Sequence, residues 1–126
     1  VRVISDGFLP AEEVSRRLAA VDVFAAAFAD GVSTRRTTFI AALQHWLAVV
    51  GTRGSATDPM LEMEHGHAYL LAEAGDAQGF ASLVEEAVAN ADRREQLGAA
   101  ASDLYAREFA WPVIARRMLS ALGADG

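Results

Sequence analysis

Cysteine is absent from the 126 residues. That excludes disulfides and thiolate metal centres and agrees with a reducing, cytoplasmic setting. An excess of positive charge is also missing: 11 Lys and Arg against 17 Asp and Glu leave a net charge of −6 and a pI near 4.9. Such a chain releases few counterions from phosphates, so nucleic acid is not an expected partner. No apolar run approaches the roughly 18 residues that a membrane-spanning helix needs. Neither an initiator Met nor a signal peptide precedes Val1, and this start is read as a cut inside a longer protein.

What is present is globular in character. Apolar residues make up 52% and charged residues 22%, which suits a packed domain rather than disorder. The length fits one domain, residues 1–126.

The apolar pattern predicts alternating strands and helices. Val1–Ile4 reads as a first strand, ended by Asp6–Gly7. Pro10 opens a helix over Ala11–Ala19, where Glu12–Arg16 and Glu13–Arg17 are favourable i,i+4 pairs. Val21–Ala27 is continuously apolar, as for a strand buried on both faces. After Asp30–Gly31, Ser33–Thr34 reads as the cap of a helix over Arg35–Trp46. Leu47–Val50 reads as a strand stopped by Gly51, and His67–Leu71 as a shorter one.

Asp76 caps a helix with apolar positions Phe80, Leu83, Val84, Ala87 and Val88. A helix over Asp92–Glu108 follows. A last one carries a stripe from Trp111 to Leu122, and Gly123–Gly126 reads as a loose tail. This order is α/β, with a Rossmann-like parallel sheet flanked by helices. Ligands in such sheets sit beyond the carboxyl ends of the strands, here after Ala27, Val50 and Leu71.

One of these loops has the composition of a phosphate site. Asp30, Gly31, Val32, Ser33, Thr34, Arg35 and Arg36 follow a strand and enter a helix. A helix N-terminus offers unpaired N–H groups and partial positive charge, which suits a diphosphate. Gly31 lets backbone approach a ligand, Ser33 and Thr34 supply hydroxyls, Arg35 or Arg36 a guanidinium fork, and Asp30 an acceptor for sugar hydroxyls. Ordinary caps and solvated arginines account for the same residues. Glu62, Glu64, His65 and His67 suggest a metal pair on a strand, but further ligands are not evident and a polar strand entry explains them. His45 reads as a helix-end partner of the dipole, Trp46 and Trp111 as packing residues.

Several pieces occur in a recognisable order: Gly7–Phe8–Leu9–Pro10, Ala20–Val21–Asp22–Val23–Phe24, Asp30–Gly31–Val32–Ser33, Ala41–Ala42–Leu43, His45–Thr52 and Phe109–Ala110–Trp111. Together they resemble the C-terminal donor-binding domain of retaining glycosyltransferases with the GT-B fold, family four in particular. The resemblance implies a partial GT-B C-terminal domain that binds a UDP- or GDP-linked sugar, with no metal or other cofactor. It implies a separate N-terminal acceptor domain and an upstream Arg and Lys for the diphosphate, so that this chain alone is inactive. It further implies peripheral membrane association of the full-length enzyme. The last helix would cross back toward the acceptor domain, leaving a fragment prone to self-association.

Asp30 and the Gly31–Ser33 backbone take donor roles by this resemblance, and no catalytic residue is assigned. The family's second glutamate falls on Ala41, its glycine on Trp46 and its proline on Ala48. These departures support a rival reading, a degenerate non-catalytic domain used for protein contact.

Overall fold

The computed structural model describes residues 1–123, so the last three residues of the expected tail lie outside the described residues. The elements run α1 (Ala11–Ala19), β1 (Val23–Ala26), α2 (Thr37–Gln44), β2 (Ala48–Arg53), α3 (Pro59–Glu62), β3 (Leu70–Glu73), α4 (Ala77–Ala89), α5 (Ala91–Glu108) and α6 (Trp111–Ala121). The three strands form one parallel sheet in the order β1-β2-β3. The α/β, Rossmann-like expectation therefore holds.

β2 is central, and its side chains are buried from Ala48 to Thr52, which explains its unbroken small and β-branched run. One core lies between the sheet, α2 and the later part of α5, around Phe39, Leu43, Val49, Tyr69 and Leu104. Phe39 and Tyr69 meet edge to face with centroids 5.3 Å apart. The other core packs Val50, Leu70, Ala87 and Leu97 against Phe80, Leu83 and Val84 of α4. Asp76 caps α4 as expected, accepting from the Gly79 N–H at 2.9 Å.

Several boundaries differ from the sequence reading. Val1–Ile4 forms no strand and is exposed, because nothing pairs with it. β1 is shorter than Val21–Ala27 and is not buried on both faces: it lies at the sheet edge with Ala25 exposed. Gly51 does not stop β2 but sits within it, pressed on Val32, whose Cγ1 would lie 2.8 Å from a Cβ there. β3 starts at Leu70 rather than His67. On α1, Arg16 reaches Glu13 and Arg17 reaches Asp6, in place of the expected i,i+4 pairs. The stripe on α6, by contrast, lies exposed in keeping with a helix that leaves this chain's core: none of that helix is buried, and Trp111, Met118 and Leu119 are exposed.

The end of α2 explains two residues at once. Trp46 N–H donates to Leu43 O and Leu47 N–H to Ala42 O, the two bonds of a Schellman motif. Trp46 holds the left-handed position of that motif, with φ 61°. Glycine is the usual occupant because it has no Cβ to clash. Beneath the turn Gly98 of α5 touches the Trp46 carbonyl: a Cβ there would lie 2.3 Å from the oxygen. The obstacle is backbone, so it cannot rotate aside.

His45, at the C-terminus of α2, pairs Nδ1 with Ala41 O at 2.7 Å and Nε2 with Ser15 Oγ at 2.8 Å, tying α1 to α2.

Two stability changes follow. Gly98→Ala gains roughly 1 kcal/mol of helix propensity but meets the Trp46 carbonyl, and overpacking of about 1–3 kcal/mol outweighs the gain. Thermal unfolding should show a lower Tm. Trp46 is 63% exposed, so Trp46→Gly loses little packing. Relief of the left-handed strain should leave a net gain of about 0.5–1 kcal/mol and a Tm higher by a few degrees.

Candidate donor site

The strands end at Ala26, Arg53 and Glu73, and the loops that follow form the carboxyl rim. Thr52 fixes the first of them. Its hydroxyl donates to Phe28 O at 2.6 Å and accepts from Phe28 N–H at 3.0 Å, while its carbonyl accepts from Val32 N–H at 2.7 Å. Between those anchors the chain turns, with Gly31 N–H donating to Phe28 O and φ 90° at Gly31. A Cβ on Gly31 would lie 2.3 Å from both Gly54 N and Thr57 Oγ1, and one on Gly54 would lie 2.7 Å from Asp30 O. The lack of a Cβ at Gly31 thus admits the backbone of the following loop.

The helix start is also displaced. Ser33 and Thr34 do not cap α2. Ser33 is buried, its Oγ accepts from Arg35 N–H at 3.3 Å, and its carbonyl accepts from Arg36 N–H, closing a turn. Arg36 is the N-cap, without a side-chain cap bond, and α2 starts at Thr37. The N–H groups of Thr37 and Thr38 make no hydrogen bond among the described residues. Thr34 N–H is held from outside by the Asp58 carboxylate at 2.8 Å. That bond, above all, holds the Asp58 carboxyl below its ordinary pKa, with a smaller contribution from the Arg35 charge.

The two arginines separate. Arg36 pairs with Asp30 at 2.5 Å, and its guanidinium lies 4.4 Å from the centroid of the Phe28 ring. Arg35 is exposed and makes no side-chain hydrogen bond or ion pair among the described residues. Asp30, Ser33, Arg35, Arg36 and Ala56 line a small open cavity of about 190 Å³. Of the seven residues singled out in sequence, four line this cavity; Val32 is core, and Gly31 and Thr34 shape the loop through backbone contacts.

A second, larger cavity of about 370 Å³ lies at the rim on the α4 side, bordered by Phe28, Thr52, Glu73, Asp76 and Phe80 among others. Sequence reasoning did not find Thr52, Asp58 or the two phenylalanines. Their roles depend on which loops meet across the rim, which no local pattern carries. Glu73 lies 2.9 Å from Arg53 Nε across the β2–β3 pair, an ion-pair distance without hydrogen-bond alignment.

The acidic and histidine cluster disperses. Glu64 pairs with Arg107 at 2.9 Å, and His65 is not on a strand with His67 but accepts the Leu71 N–H at Nδ1, 2.9 Å away. Burial, then the charges of Arg53 and Arg93, hold His65 below its ordinary pKa. No group of three potential metal ligands gathers among the described residues, and none of the described helices is long and apolar enough to cross a membrane.

The fold is shared with a crystal structure of Anabaena HepE (Alr3699) in complex with UDP: the TM-score is 0.75 at 18% identity, over 86% of this chain. The chain spans 29% of the length of that one. No family model and no curated protein matches the sequence.

The Asp58–Thr34 contact makes a pH prediction. Its folded pKa is lowered from 3.8, so the contribution of this bond is complete above 3.8 and is lost as pH falls through the lower folded value. The Thr34 amide resonance should titrate with a midpoint below 3.8. Asp58→Asn should abolish that titration.

Proposed function

We propose that this chain is the donor-binding part of a retaining glycosyltransferase, holding the diphosphate and sugar of a UDP- or GDP-linked donor. The observation that carries the reading is Arg35: an exposed guanidinium, unpaired among the described residues, that lines a cavity with Asp30, Ser33 and Arg36 at the carboxyl rim of a Rossmann-like sheet. Rossmann-like sheets bind nucleotides at that rim, and helix N-termini with an arginine fork take phosphate oxygens. The fold shared with the UDP-bound HepE structure and the ordered resemblance of the sequence to GT-B donor domains support the same reading.

The chemistry is electrostatic. As the bond between the sugar carbon and the diphosphate oxygen breaks, negative charge grows on the leaving diphosphate. Arg35 and the α2 N-terminus stabilise that charge, and they act most strongly when water is excluded. Arg36 is a positioning residue: bound to Asp30 and stacked on Phe28, it orients the Asp30 carboxylate, whose free capacity accepts from sugar hydroxyls. The acceptor and its domain belong to the longer enzyme.

A specific departure favours a second reading, a non-catalytic interaction module. Ala41 supplies no carboxylate where the resembled family has its ribose-binding glutamate, and Trp111, Met118, Leu119 and Leu122 present apolar surface on and after α6.

Calorimetric titration separates the two. The donor reading expects UDP or GDP to bind with an affinity measurable at millimolar ligand, and Arg35→Ala to weaken it about tenfold, the loss of one charge-assisted contact. Unchanged affinity in Arg35→Ala removes that residue from the site. Absence of heat with either nucleotide supports the interaction module.

A further inference from the structure

We propose that His65 is a proton-sensitive cover for the outer edge of β3: the neutral ring occupies the Leu71 N–H, and the charged ring releases it.

β3 lies at an edge of the sheet. Ala74 N–H donates to Arg53 O across the β2–β3 pair, so the N–H groups of Ala72 and Leu70 face β2 and that of Leu71 faces outward. The outward groups are nevertheless occupied. Gly66 N–H donates to Tyr69 O at 2.8 Å, and His65 Nδ1 accepts from Leu71 N–H at 2.9 Å. A backbone amide and an imidazole thus stand where the next strand of a sheet would. Edge strands need such covers, because an open row of N–H and C=O groups pairs with other chains. Leu71 is buried, so its N–H is costly to leave without a partner.

The bond fixes the protonation state of the ring. Nδ1 accepts only while it carries no proton, so the neutral ring holds its hydrogen on Nε2. An imidazolium is a donor at both nitrogens, and its Nδ1–H would meet the Leu71 N–H donor to donor. The surroundings sharpen that conflict. Burial first, then Arg53 at the end of β2 and Arg93 in the first turn of α5, hold the pKa of His65 below 6.5. The acids of this region are committed elsewhere, Glu64 to Arg107 and Glu73 to Arg53. Glu62 and His67, on the same segment, are exposed. The bond is therefore complete above 6.5 and is lost as pH falls through the lower folded value.

Only the ring has to move. The backbone of the segment is tied independently: Gly66 O accepts from Arg93 Nη2 at 2.8 Å, Gly66 N–H holds Tyr69 O, and Tyr69 Oη donates to Leu61 O at 2.6 Å. Acid thereby frees one donor on the sheet edge while the strand and its loop stay in place.

Amide exchange followed by NMR and corrected for its intrinsic pH dependence tests this, with the His65 ring signals reporting its charge. From about pH 8 to about pH 5, the range in which histidine titrates, the Leu71 amide should quicken with a midpoint below 6.5. The change should be at least about fivefold, the effect of one hydrogen bond. The Ala72 amide, which faces β2, should hold its rate. His65→Asn keeps an acceptor near the place of Nδ1 without titrating, and its Leu71 amide should stay slow throughout. In His65→Ala that amide should be fast at every pH. A Leu71 amide that stays slow while the ring titrates overturns the proposal, as does a ring that stays neutral over this range. The same pH response in His65→Asn, or a slow Leu71 amide in His65→Ala, also overturns it. Joint quickening of Leu71 and Ala72 does so too, since that is unfolding of the strand and not release of its edge.

Discussion

At Gly31 and Gly54 two stretches of backbone lie closer than a side chain on either would allow. This contact sets the form of the rim. Because Gly31 has φ 90° and no Cβ, the loop after β1 folds flat onto the end of β2, where Ala56 N–H reaches Asp30 O and Val32 N–H reaches Thr52 O. Thr52 closes the arrangement with a hydroxyl that bonds both backbone groups of Phe28. Val32 then drops into the core over Gly51, and Ser33 is buried behind it. The side chains left outside are Asp30, Thr34, Arg35 and Arg36, so the chemistry of the rim is a consequence of where two glycines meet.

The sequence disclosed the α/β order because each buried element had a clean period. The unbroken apolar run of β2 and the i, i+3, i+4 pattern of α4 correspond to elements packed on neighbours in this chain. It misled where a neighbour is lacking. Val1–Ile4 has strand composition yet no strand partner among the described residues. Propensity records what a segment can pack against, not whether that surface is present.

The candidate loop was legible as a region but not in its parts. Asp30, Ser33, Arg35 and Arg36 do converge on one cavity. Gly31 and Thr34 serve the loop itself, through Gly54 and Asp58, because partners 23 and 24 residues away outcompete the local cap that Ser-Thr before a helix suggests. Trp46 shows the reverse. It stands where the resembled family has glycine, and the left-handed Schellman position supplies the physical reason for that glycine.

The displaced start of α2 also moves both arginines out of the helix. Two arginines in a first helical turn would oppose the helix dipole. They are instead in the turn that precedes it, with Arg36 at the cap, so dipole repulsion gives no reason to assign them a ligand. The reason lies in their partners. Arg36 is occupied by Asp30 and by the face of Phe28, a half-exposed pair worth under about 1 kcal/mol in water but sufficient to fix both side chains. Among the described residues Arg35 has no such occupation, and it lines the rim cavity with its side chain exposed. The planar fork of Arg35 suits an anion better than a neutral group, at the cost of ordering a long exposed side chain.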